Sequence, residues 1–132
     1  MTAGLGAVQE KRFDPDGTFW IQGKPPAAFA DIGGINLNSR RSKRFPMAGV
    51  ELVSGRRLIF KSLSVKRDSL LFATASLRGV SYSFSGRFLR GGTFSASDLD
   101  EQTPVLEGTL TKLQAGRKVA DAKLKFTYFG GT

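Results

Sequence analysis

The sequence predicts an all-β domain: an antiparallel up-and-down meander of about seven to eight strands, closed as a small barrel or stacked as a sandwich, with no long helix. Three observations lead there. Val80, Tyr82, Phe84 and Phe88 alternate with Ser81, Ser83, Ser85 and Arg87, the period-two pattern of a strand with one apolar and one wet face. The same alternation returns near the C-terminus, where Ala120, Ala122, Leu124, Phe126 and Tyr128 oppose Asp121, Lys123, Lys125 and Thr127. Short turns at Ser54-Gly55, Arg78-Gly79, Gly91-Gly92 and Gln114-Ala115-Gly116 cut the chain at hairpin spacing.

The chain holds 132 residues, enough for one domain over 1–132 with a core that needs no disulfide or metal. Residues 1–13 carry scattered apolar positions and two glycines and read as an irregular N-terminal arm. Asp14-Pro15-Asp16-Gly17 is a turn; its two carboxylates lack the further spaced acids of a calcium loop. Thr18–Gln22 is rich in β-formers and opens the sheet, with Trp20 expected as a core or barrel-end plug. Ala27–Ile32 suits a single helical turn, and Ile35–Asn38 reads as a short edge strand.

The region from 56 to 95 holds the plainest meander. Its apolar phase reverses at Gly79, because Leu71, Ala73, Ala75 and Leu77 are odd and Val80, Tyr82 and Phe84 even. A bulge at Arg78-Gly79 would restore the phase. A two-residue hairpin there would do so too, and is preferred on strand length. It would set Leu77 opposite Val80, Ala75 opposite Tyr82 and Ala73 opposite Phe84. Lys66–Ser69 is a polar break, Ser97–Thr103 an acidic loop, and Val105–Leu113 a further strand.

Charge and missing residue types narrow function more than any motif. The net charge is +9, yet residues 40–90 alone carry twelve basic groups against two acidic ones. Histidine and cysteine are both absent. That removes the commonest general base, thiolate nucleophiles and the usual zinc ligands. Glu51, Asp68, Glu107 and Asp121 lie on or beside predicted strands, with no spacing that makes two of them converge as a glycosidase pair would. Catalysis, a cofactor and a metal are therefore not expected.

Three non-catalytic roles stay open. The first is a structural or protein-interaction module, self-associating into a homo-oligomer through a strand edge or the Ser81, Ser83, Ser85 ridge. The second is binding of a polyanion, nucleic acid or an acidic polysaccharide, through Arg40, Arg41, Lys43, Arg44, Arg56, Arg57, Arg87 and Arg90. The third is a carrier whose interior, lined by Trp20, Tyr82, Phe84, Phe88, Phe126 and Tyr128, holds a small apolar ligand. Partner identity is unknown at this level. No apolar run reaches the ~18 residues of a membrane helix. No basic-then-apolar leader is visible, so the cytoplasm is the default compartment, with export after removal of a leader left open.

Overall fold

The structure, a computed structural model, describes residues 16–38, 49–89 and 103–129. Among them, eight antiparallel strands follow one another around a closed barrel. These are β1 (Asp16–Ile21), β2 (Ile32–Asn38), β3 (Gly49–Leu52), β4 (Arg57–Lys66), β5 (Ser69–Thr74), β6 (Val80–Phe88), β7 (Leu106–Gln114) and β8 (Arg117–Phe129). Closure comes from β1 and β8, with Phe19 opposite Tyr128 and Ile21 opposite Phe126. The meander is therefore a barrel and not a sandwich. Closure also corrects Ile35–Asn38 as an edge: β2 pairs with β1 on one side and β3 on the other.

The apolar faces of the strands point inward and meet ring to ring. Phe60 lies 4.7 Å from Phe72 between centroids, Phe72 5.4 Å from Phe84, and Phe84 5.6 Å from Phe126 in an edge-to-face contact. Phe19 adds contacts of 5.7 Å to Phe88 and 5.3 Å to Tyr128. Offset and edge contacts at these spacings add to the burial of the rings themselves. Rings thus occupy the middle of the barrel. Lysines, serines and threonines are frequent on its outer wall, beside the exposed Trp20, Ile59 and Leu71.

One place in the wall is built to let a ring in. Gly86 and Gly108 are directly paired across β6 and β7. A Cβ on Gly108 would come within 2.6 Å of the Phe84 ring, and one on Gly86 would collide with the Glu107 carbonyl. The missing side chains are the space that Phe84 fills on its way to Phe126. Larger residues at either position would push the ring out of the core.

Phase changes along the strands are made by bulges. In β4, Leu58 and Phe60 face inward, then an irregularity between Phe60 and Ser62 brings Leu63 and Val65 to the inner side. At Gly33 another lets both Ile32 and Ile35 reach the core.

The β5–β6 connection is the two-residue hairpin preferred from the sequence, and no bulge stands at Arg78-Gly79. Arg78 and Gly79 have positive φ, and Leu77 and Val80 exchange backbone hydrogen bonds of 2.8 and 3.0 Å, which makes the two-residue hairpin. The expected pairing beyond it does not hold. Phe72, not Ala73, lies opposite Phe84, so Leu70, Phe72 and Thr74 face inward and Leu71 lies exposed outside. The chain slips by one residue after Thr74. The buried Thr74 hydroxyl absorbs the slip, accepting the Tyr82 N–H at 3.0 Å and donating to the Ala75 carbonyl at 2.8 Å.

Candidate functional site

The turns between β1 and β2, β3 and β4, β5 and β6, and β7 and β8 gather at one end of the barrel. That end is fully described, and it carries a cavity of about 340 Å³ open to solvent. Its apolar wall is Leu52, Leu58, Leu77 and Val80; Asp31, Arg56, Arg78, Tyr82 and Lys112 supply the polar groups.

Local sequence explains each position. Leu106, Gly108, Leu110 and Lys112 share one face of β7, so the strand that sends two leucines into the core also turns a lysine inward at its end. Lys112 pairs with Tyr82 on β6 and Ala120 on β8. Its ammonium donates to the Ala28 carbonyl at 3.2 Å. Arg78 stands on the two-residue hairpin and Arg56 at the exit of the β3–β4 turn, both exposed at the rim.

The 22–31 connection forms one side of the mouth. Ala27–Phe29 is a 3₁₀ turn, the single helical turn that the sequence predicts there. Phe29 is buried with its ring 6.3 Å from that of Tyr82. The Asp31 carbonyl accepts the Val53 N–H at 2.9 Å, fastening the connection to the β3–β4 turn. Tyr82 donates its hydroxyl to the Asp31 carboxylate at a long 3.5 Å. Burial, reinforced by the Asp31 charge and that hydrogen bond, pushes the Tyr82 phenol up from 10.0 to about 12. It is a donor, not an anion, at any ordinary pH.

The arrangement gives an apolar wall, three cationic side chains and one carboxylate. No cluster of three or more metal-ligating side chains occurs among the described residues. The mouth can therefore take an apolar body against its leucines and an anionic head among Arg56, Arg78 and Lys112.

The residues singled out from sequence fall in different places. Tyr82, Phe84, Phe88 and Phe126 are buried and Tyr128 half-buried, all on the inner side. Of these only Tyr82 lines the mouth. Trp20 does not plug the barrel: its neighbour Phe19 faces inward, while Trp20 is 39% exposed on the outer wall over Gly34.

Among the basic residues, Arg40, Arg41, Lys43, Arg44 and Arg90 lie outside the described residues, as do 1–15, most of the acidic loop and the Gly91-Gly92 turn. Arg57 is held by Glu51 at 3.0 Å, and Glu51 also accepts from Asn36 at 3.1 Å. Arg56 and Arg87 sit toward opposite ends of the barrel, so the described members of that set do not form one patch. Lys112 and Asp31 were passed over. The even-numbered run from Leu106 to Lys112 was the signal for the first, while Asp31 depends on how the turns come together.

No family model, curated protein or solved structure matches this chain.

Proposed function

We propose that this protein is a non-catalytic binding barrel whose mouth takes a small amphipathic anion, an acyl or aryl carboxylate with a short apolar body. The observation that carries this reading is the inward-turned Lys112, set beside Leu58, Val80 and Tyr82 and joined at the rim by Arg56 and Arg78. A lysine on the inner face of an apolar strand loses hydration, and a ligand anion compensates for that loss. The cavity of about 340 Å³ lies within the range of small-molecule sites, which begins at about 300 Å³. The aromatic ladder in the middle of the barrel favours binding at the mouth over a carrier with a deep apolar cavity. Assembly through a strand edge has no support here, since every described strand has a neighbour on both sides.

Calorimetric titration with octanoate and with octanol, which has the same chain and no charge, tests the reading. Octanoate should bind and octanol should be weaker by about tenfold, or about 1.4 kcal/mol. Lys112→Met should remove most of that difference. Equal affinities for the two probes in the wild-type protein would refute an anion-selective mouth.

A further inference from the structure

A second site lies on the outer wall, away from the mouth. We infer that the row Ser69, Arg87, Glu107 and Lys125 binds an acidic polysaccharide running across the strands. The register places these four residues side by side on β5, β6, β7 and β8: Ser69 opposite Arg87, Arg87 opposite Glu107, and Glu107 opposite Lys125. All point outward, because Leu70, Phe88, Leu106 and Phe126 next to them in the chain point inward.

Strands lie about 4.8 Å apart, so the backbones at Arg87 and Lys125, two strands apart, stand about 10 Å from each other. One strand spacing is close to the length of one sugar ring in an extended glycan. A polymer with an acidic group on alternate sugars would bring successive acids to Arg87 and Lys125. Glu107 between them and Ser69 beside Arg87 offer a carboxylate and a hydroxyl to the sugar hydroxyls.

The wall is also dented where such a chain would lie. A groove of about 370 Å³ runs over the Gly86–Gly108 pair, lined by Ser69, Ser85, Arg87, Glu107, Thr109 and Lys123, with Lys125 at its side. No ion pair joins Arg87, Lys123 or Lys125 to Glu107 among the described residues. The groove has hydroxyls and no aromatic ring in its lining. That favours a glycan over a nucleic acid, whose single strands are held by base stacking on rings. Two of the cations, Lys123 and Lys125, come from outside the basic 40–90 segment.

The test is binding of a hyaluronan oligosaccharide, which carries a carboxylate on alternate sugars, against a single-stranded oligonucleotide of similar charge, each titrated with salt. The full chain is used throughout. Arg87→Glu/Lys125→Glu should weaken glycan binding about tenfold and flatten the log–log salt slope by about two. Lys61→Glu/Arg117→Glu makes the same charge change elsewhere on the wall and should shift affinity by less than about twofold. Lys112→Met should leave glycan binding unchanged, which separates this site from the mouth. Circular dichroism of each variant reports whether the barrel is intact; should the double reversal fail to fold, Arg87→Gln/Lys125→Gln replaces it, with the same expected loss. Equal losses in groove and control variants would overturn the proposal in favour of unspecific charge. Tighter, groove-dependent binding of the oligonucleotide than of the glycan would overturn it in favour of nucleic acid.

Discussion

Tyr82 joins the core to the mouth. Its ring is buried against Phe29, its backbone N–H is taken by Thr74, and its hydroxyl reaches Asp31. With the phenol raised to about 12 in the folded protein and near 10 in the unfolded chain, the unfolded state loses its proton first as pH rises. The Tyr82 contribution to stability is therefore complete below pH 10 and declines between 10 and 12. Measured by urea unfolding, the advantage of wild type over Tyr82→Phe should shrink by about 2 kcal/mol across that window. An advantage that stays constant from pH 9 to 12 would show that the phenol does not feel its burial. Ala115 is a residue-scale test of another kind. It sits at φ 52, followed by Gly116 at φ 81, in a turn that suits asparagine at its first position. Ala115→Asn should raise stability by about 0.5–1 kcal/mol, seen as a higher Tm.

At the scale of elements, the β5–β6 hairpin depends on one hydroxyl. Thr74→Val keeps the shape but leaves the Tyr82 N–H without its acceptor inside the barrel, which should cost about 2 kcal/mol. Thr74→Ser, which keeps the oxygen, should cost less than half of that. Equal losses in the two variants would place the effect in packing instead. This hairpin also shows what the sequence could and could not reveal. Arg78-Gly79 was legible as a two-residue turn because the apolar phase reverses there and an unbroken strand from Ser69 to Arg90 would be far too long. The slip beyond it was not, because Leu70-Leu71-Phe72-Ala73 is apolar in both phases and alternation cannot choose between them. What chose was the fit of Phe72 between Phe60 and Phe84, a contact across three strands. In β8, by contrast, Asp121, Lys123 and Lys125 alternate with Ala120, Ala122, Leu124 and Phe126, and its inner face was readable outright.

The whole molecule is a barrel closed by aromatic packing, with its chemistry at an end and on the outer wall. Closure was left undecided by the sequence because β1 and β8 are far apart in the chain, and nothing local marks their pairing. Trp20 was misplaced for a related reason: in Phe19-Trp20 either ring could face inward, and the register with β2 and β8 selects Phe19. The mouth was hidden as well, since its lining comes from four separate stretches. The charge excess was visible at once, but its layout was not. Arg57 is tied to Glu51, Arg56 and Arg78 serve the rim, and Arg87 joins Lys123 and Lys125 around the groove.

The most direct test of an amphipathic-anion mouth is a two-dimensional amide NMR titration of the full chain with octanoate. The account requires saturable shifts concentrated at Leu52, Arg56, Leu77, Arg78, Val80 and Lys112, with the outer-wall residues Ser85, Thr109 and Lys123 unmoved. Shifts that do not saturate, or that spread along the basic outer wall while the mouth stays still, would contradict it.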